Sequence, residues 1–449
     1  MNTQTEKAEF PPGLNNAYLF ATFNALSFQM VLSSPMLLYA KSLGASATVL
    51  GIIAGMMPLL VIFQIPAAQH VARVGYKKFV YAGWGTRVLF IFVMAVVPVT
   101  FPILNETTRL ALLLMLLFGF NLSRGISSAG WLPWITSLVP ASIRGGYLAR
   151  DAAWVSMASF CSFILASVCL GKDPGAWQFS LLFLFSALMG AASLVFLKRI
   201  PEGIPEDSAS SSKGPVPWGA IINYKPFQKL LWMIMAWAIA YGGLSAFTVV
   251  FLKMKGGMSE GKILLLNSVF FLGGLSSLIL GSRLVRLGSK PVLTFAFLAW
   301  LLIITGWTLL AGQVLSLGLW LILFLQFSMG FCASLVTMSN TRLAMAIVPA
   351  MGRNHFFALY SVLSNVTLGL APILWGLMID AVGSAQVTSL GVEWNRYSLF
   401  FLASGAMLLA ALGFCLRLHE PEAASLEELL HDLLIQSPQR VWVRLWLRE

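Results

Sequence analysis

Charge is what this chain has least of. Only 10% of its 449 residues are Asp, Glu, Lys or Arg, against about 25% in a soluble domain. So few charges could not cover a surface facing water, so lipid must be the solvent for most of the chain. Carboxylates are scarcest where chemistry would need them: no Asp or Glu stands in the middle of a long apolar run, and Asp151 and Asp380 lie at run boundaries. No Ser/His/Asp set, phosphate loop or metal cluster appears either. An intramembrane enzyme needs such a constellation, so catalysis is set aside. Cysteine is scarce too. Cys161, Cys169, Cys332 and Cys415 all fall in apolar runs without ligand spacing and read as small buried hydrophobes. No metal or cofactor is expected. The stretch Met1–Asn16 carries Glu6, Lys7 and Glu9 before Pro11-Pro12. It lacks the basic start and small-residue cleavage site of a signal peptide, so the first apolar run is expected to be retained.

What the chain does have is hydrophobicity, at 58% of residues. A membrane span needs about 20 mostly apolar residues, and twelve such runs can be read. They lie near Ala17–Leu38, Ala47–Ala68, Phe79–Val99, Arg109–Trp134, Ala152–Leu170 and Phe179–Leu197, then Leu230–Phe251, Ile263–Leu280, Val292–Leu310, Leu317–Met338, Phe357–Ile379 and Leu399–Leu416. Between the sixth and seventh, Lys198–Lys229 is polar and rich in Pro, Gly and Ser, the composition of a flexible linker.

A short basic loop follows the second run, with Arg73, Gly75, Lys77 and Lys78. It returns as Arg286, Gly288 and Lys290, each 213 residues on (286 − 73 = 213). Val139-Pro140-Ala141 with Arg144 returns as Val348-Pro349-Ala350 with Arg353, 209 residues on (348 − 139 = 209). Echoes this far apart, between membrane-like runs, point to a duplicated helical bundle. The expected fold is therefore an all-α integral membrane protein, with twelve transmembrane helices in two six-helix bundles related by pseudo-two-fold symmetry. Its parts would be an N-terminal bundle over 1–197, a cytoplasmic linker over 198–229, a C-terminal bundle over 230–418 and a cytoplasmic amphipathic tail over 419–449. With the N-terminus inside, inner loops hold fifteen basic residues and outer loops seven. That asymmetry places both termini in the cytoplasm, in a multi-pass protein of the cell (inner) membrane. The net charge of +12 sits in short loops and gives no reason to expect nucleic acid. A monomer in the lipid bilayer is expected.

Twelve spans, a central linker and paired basic loops resemble the major facilitator superfamily over nearly the whole chain. That family's loop signature is a Gly, an Asp four residues on, then Arg-x-Gly and basic residues. Arg73, Gly75, Lys77 and Lys78 match it, as do Gly281, Arg286, Gly288 and Lys290 in the second half; Ala68, Ala72 and Val285 depart from it. The salt-bridge latch that the resemblance implies thus lacks its carboxylates. Ala371-Pro372 and Gly376 also match family usage, whereas the helix-5 signature of proton-coupled drug exporters is absent from Trp154–Leu170. The resemblance implies a secondary transporter working by alternating access on a small-molecule substrate, with its cavity lined by helices 1, 4, 7 and 10. It leaves the coupling ion open.

Two arginines lie inside runs, and a buried Arg is costly enough to point to function. The alternative for each is a guanidinium that satisfies carbonyls or reaches the interface. Arg87 stands near the middle of helix 3, which the resemblance makes an outer scaffold helix, and it is given no role. Arg124 on helix 4 has Asn121 and Ser128 at i−3 and i+4, which makes one polar face. Helix 1 adds Asn24 and Phe28. Helix 7 adds Trp237, Tyr241 and Ser245, and helix 10 adds Gln326, Gly330 and Ser334, both at four-residue spacing. These stripes are either packing seams or the walls of a site. With no acid nearby, the simplest partner for Arg124 is an anionic solute. Gly51, Gly55, Gly273 and Gly274 read as close-packing positions. In the tail, Ser425 to Glu428 resemble a capping box, before a leucine stripe and an arginine face at Arg440, Arg444 and Arg448. That pattern suits either a membrane-surface helix or a tail packed on the inner loops. The rival reading of the whole chain is a transporter-shaped sensor or assembly partner without transport activity.

Overall fold

A computed structural model describes residues 13–202, 222–284, 288–347, 353–418 and Glu420. In the N-terminal half, α1 (Asn15–Leu32) and α2 (Ser34–Ser42) form the first span, and α3 (Ala47–Leu60) and α4 (Gln64–Val74) the second. α5 (Tyr76–Val96), α6 (Glu106–Leu138), α7 (Ala141–Leu170) and α8 (Ala176–Arg199) follow. In the C-terminal half, α9 (Lys225–Gly242) and α10 (Leu244–Met254) form the seventh span. α11 (Glu260–Leu284), α12 (Ser289–Ala311), α13 (Leu319–Ile347), α14 (Arg353–Val382) and α15 (Arg396–Leu416) complete it. Between α14 and α15, β1 (Val387–Ser389) and β2 (Val392–Trp394) pair antiparallel, with Val387 opposite Trp394. Among the described residues eleven helical segments are long and apolar enough to cross a membrane. The α1–α2 pair, interrupted at Ser33, stands where the twelfth is expected.

The helices overrun the apolar runs. The fifth span starts at Ala141 rather than near Ala152, and the seventh at Lys225 rather than near Leu230. Lys198 and Arg199 are the last turn of α8, so helix also covers both ends of the expected linker. A helix satisfies its own backbone wherever it lies, while long basic side chains reach out to the headgroup layer. Apolar composition therefore marks the hydrocarbon core and misses the helix ends.

The duplication is visible in the backbone. Gly75 and Gly288 both have positive φ, +88° and +100°, a conformation that side chains other than Gly rarely adopt. The first span breaks at Ser33 and the seventh at Gly243, 210 residues apart (243 − 33 = 210). Arg286, the second Val-Pro-Ala triplet and, apart from Glu420, the tail lie outside the described residues. The second loop has Val285 at the signature's Asp position, and Glu420 brings a carboxylate to the start of α12. It accepts the Ser289 N–H at 2.9 Å and the Lys290 N–H at 2.6 Å, and so caps α12. Lys290 Nζ donates to the Leu418 carbonyl at 2.7 Å. In the first half Arg73 and Lys78 are exposed.

The two halves meet along two seams, α3 against α14 and α7 against α11. Both are tightest at the end of the molecule that carries the β hairpin, here termed the hairpin face; the end with Arg73–Lys78 is the basic face. A Cβ at Gly51 would lie 2.1 Å from the Pro372 carbonyl oxygen, and one at Gly55 2.2 Å from that of Gly369. Asp380 at the end of α14 caps α3, accepting the Ala47 N–H at 3.0 Å and the Thr48 N–H and hydroxyl at 2.8 and 2.7 Å. On the other seam the Gly261 N–H donates to the Gly171 carbonyl at 2.9 Å, and the Ser167 hydroxyl to the Gly261 carbonyl at 2.7 Å. Gly273 packs within the C-terminal half, where a Cβ would meet the Phe327 carbonyl oxygen at 2.0 Å; Gly274 has no such close neighbour. Toward the basic face, α4 packs on α5 and α6 of its own half.

Candidate functional site

Where α1 and α9 break, polar groups from both halves meet. Gln326 on α13 donates to Asn267 on α11 at 2.8 Å, and Asn267 donates to Ser34 at the start of α2 at 2.9 Å. This buried chain links the halves beneath the hairpin face. A cavity of about 180 Å³ adjoins it. Its walls include Ser33, Ser34, Tyr241, Ser245, Thr248 and Gln326, with Phe163, Phe270 and Phe271. A second cavity of about 250 Å³ shares Tyr241, Phe270 and Phe271 with the first. It runs toward the basic face past Ser156, Gly330, Ser334 and Thr337. The space lies between the halves, ends at the hairpin-face seam and has amide, hydroxyl and aromatic walls. Thr248 is fully buried there, and its hydroxyl finds no partner among the described residues.

Of the residues expected at the site, Tyr241, Ser245 and Gln326 line the first cavity together. Gly330 and Ser334 line the second. Trp237 is one turn before Tyr241 and stacks on it with ring centroids 5.0 Å apart. It turns toward Phe297 and Trp300 of α12, so it backs Tyr241 within the C-terminal half. Asn24, Asn121, Arg124 and Ser128 belong to the N-terminal half and are not among those walls. Asn24 accepts the indole N–H of Trp84 at 3.2 Å. Asn121 is buried, donates to the Leu117 carbonyl at 2.9 Å, and leaves its own carbonyl oxygen unpartnered among the described residues. Ser128 donates to the Gly125 carbonyl at 2.7 Å and lies 3.5 Å from the Gln64 side chain. Phe28 is half-buried on α1. Arg124 is half-buried, and no hydrogen bond or ion pair joins its guanidinium to a described residue. It lies fourteen residues before the end of α6 at Leu138 (138 − 124 = 14), about 21 Å along the axis, well inside a bilayer.

Sequence reasoning missed several residues. Ser33 and Ser34 precede Pro35, and that Ser-Ser-Pro run is the signal for the break in the first span. Asn267 is a lone amide in an apolar run, on a helix outside the expected cavity set. Asp151 was expected at a boundary. It lies ten residues inside α7 because the helix starts at Ala141, and one of its carboxylate oxygens is buried without a partner among the described residues. Arg87 also packs inward, toward Trp84 and Phe120. Among the described residues no group of His, Cys, Asp and Glu could hold a metal ion.

The family model for the Major Facilitator Superfamily matches residues 17–325 and again 257–448. The chain belongs to the Major Facilitator Superfamily. It is a multi-pass membrane transporter and not an enzyme. Solved structures similar to it include a point mutant of the nucleoside transporter NupG, at TM-score 0.71 and 12% identity over 91% of this chain and 100% of that one. The xylose transporter XylE from E. coli, in an inward open conformation, is similar at TM-score 0.68 and 14% identity over 93% and 99%. A POT family transporter in complex with 5-aminolevulinic acid is similar at TM-score 0.67 and 12% identity over 91% and 96%. None of the curated proteins compared matches the chain. At these identities the structural likeness establishes the superfamily fold and leaves the substrate open.

Proposed function

We propose that this superfamily member moves a small organic anion by alternating access, with Arg124 as its anion ligand. Arg124 itself carries the proposal: a guanidinium deep in the membrane with no acid or acceptor among the described residues. An unpaired Arg at mid-bilayer costs at least about 2.5–3.5 kcal/mol, and the bidentate Arg fork suits carboxylate or phosphate. Asn121 and Ser128 flank it on α6, about one turn to either side, with their side chains donating to carbonyls of their own helix. The aromatic and amide walls at Tyr241, Ser245 and Gln326 take the remainder of the solute as the halves close around it. Asn24, which holds Trp84, and Phe28 are the contributions of α1 to the proposed site. The basic face is cytoplasmic by its loop charge, with both termini on that side of the cell (inner) membrane. The seam at Asp380 then closes the outside, and the cavity past Ser334 and Thr337 leads inward. A transporter-shaped sensor would need no such passage, which favours transport over that reading. A reporter in the loop near Val382 is expected to read external.

Flux into proteoliposomes tests the reading, with a thermal-shift panel of carboxylates, phosphates and neutral solutes on purified protein. Anions alone are expected to raise the melting temperature. Arg124→Lys keeps the charge and loses the fork, so flux falls sharply with folding intact; Arg124→Gln abolishes anion binding. Normal transport by Arg124→Gln would make Arg124 structural and end the proposal.

A further inference from the structure

The N-terminal half contains a second guanidinium that the reading above leaves unused. Arg87 lies eleven residues into α5 (87 − 76 = 11) and is 4% exposed. Its Cζ sits 4.7 Å from the ring centroid of Trp84 and 5.0 Å from that of Phe120. Trp84 is held in turn by Asn24. Aromatic faces attract a cation but do not neutralise it, and Arg87 Nε has no acceptor among the described residues. The carbonyl oxygen of Asn121, next to Phe120 in the chain, is buried and unpartnered among them too. Phe120 stands one turn before Arg124 on α6 (124 − 120 = 4), so the Arg87 guanidinium packs on the same face of α6 that carries Arg124, and no ion pair joins either arginine to a described carboxylate. Arg87, in its cluster with Asn24, Trp84 and Phe120, and Arg124 one turn beyond Phe120 therefore place two like charges in one half of a membrane protein, with no ion pair among the described residues to balance them. Such a pair is retained at considerable cost. A monoanion at Arg124 would leave one positive charge in place, whereas a dianion would cancel both.

We infer that the solute carries two negative charges, as a phosphate monoester or a dicarboxylate does, and that Arg87 sets this preference. The inference rests on Arg124 as the anion ligand. Arg124 touches the anionic group. Arg87, clamped between Trp84 and Phe120, acts through the field it adds behind Arg124 and is a positioning residue.

The experiment measures equilibrium binding and thermal shift on the purified full chain with two matched pairs of probes at about pH 7.5, where a phosphate monoester is mainly dianionic because its second pKa is about 6. Phenyl phosphate and phenyl sulfate share a shape and differ in charge. Succinate and its monomethyl ester form the second pair. In the wild-type protein the dianion of at least one pair should bind about tenfold or more tightly than its monoanion, equal to about 1.4 kcal/mol. A preference in the phenyl pair alone assigns a phosphoryl group, and one in the succinate pair alone a dicarboxylate. Arg87→Met should bring the ratio to within about twofold while binding persists, and Arg87→Lys should keep it, because charge sets the preference. Equal binding within both pairs in the wild-type protein overturns the inference and leaves the anion ligand standing; that arm needs no variant to fold. An unchanged ratio in Arg87→Met does the same. Failure of all four probes to bind, or wild-type binding by Arg124→Gln, would overturn the Arg124 reading itself.

Discussion

Asp380 is the group to perturb if the hairpin-face seam is a gate. Its carboxylate accepts three hydrogen bonds from the first residues of α3, at 2.7 to 3.0 Å, and so joins α14 of one half to α3 of the other. Removing it costs the cap and leaves two helix N–H groups to water. Hydrogen bonds to a charged group contribute about 1.5–3 kcal/mol when sheltered, but Asp380 is exposed. Water would compensate much of that loss, and cap deletions cost about 0.5–2 kcal/mol. We take about 1–2 kcal/mol for Asp380→Ala, a factor of about 5–30 in an equilibrium. The bonds cross between the halves, so their loss weakens only conformations in which this face is closed. The readout is a cysteine at Thr248, which is 1% exposed and lines the cavity beneath the seam. The four native cysteines are replaced first, since Cys161 is exposed. A membrane-impermeant maleimide applied from the hairpin face should then label Thr248→Cys about 5–30 times faster with Asp380→Ala than without it. Asp380→Asn, which keeps one acceptor oxygen, should fall between. Unchanged labelling alongside a lower melting temperature would show the seam to be fixed packing, and the gate argument would fail.

Two further predictions follow from the same contacts. Gly55→Leu places a Cβ 2.2 Å from the Gly369 carbonyl oxygen, so the seam cannot close and flux should be lost, while Gly85→Ala, with open space around its Cβ, should transport normally; normal flux by Gly55→Leu would remove the seam from the cycle. On the hairpin, Lys255 Nζ lies 2.6 Å from the Glu393 carboxylate, and this hydrogen bond is the main reason its pKa sits below the usual carboxylate range, with Asn395 helping and partial burial opposing. A lowered folded-state pKa gives stability that is present above the unfolded value of about 4.3. That stability is lost as pH falls through the folded value. It is no more than about 1 kcal/mol for a half-buried surface pair, so Glu393→Gln should flatten the acid limb of the melting curve below about pH 4.3, and identical limbs would refute the coupling.

The sequence by itself determined the solvent, the class and the duplication. Scarce charge and long apolar runs leave helices in lipid as the one way to satisfy the backbone. The recurrence of Gly75 as Gly288 carried a backbone requirement that the φ angles of both residues show. Gly51, Gly55 and Gly273 were legible as packing positions because nothing else fits where two backbones touch. Helix ends were less legible, since composition changes at the hydrocarbon boundary and the hydrogen-bond ladder continues past it. That is why Asp151, apparently at a margin, lies inside α7. Tertiary structure alone decided which side chains meet. The stripe at Trp237 and Tyr241 has one spacing, yet Tyr241 lines the cavity and Trp237 packs on α12, because helical period gives a face without naming its neighbour. Asn267 became a link between halves only when the break at Ser33 brought Ser34 to it. Arg87 stood on an expected scaffold helix, and only the packing of α5 on α6 set it between Trp84 and Phe120, one turn of α6 from Arg124.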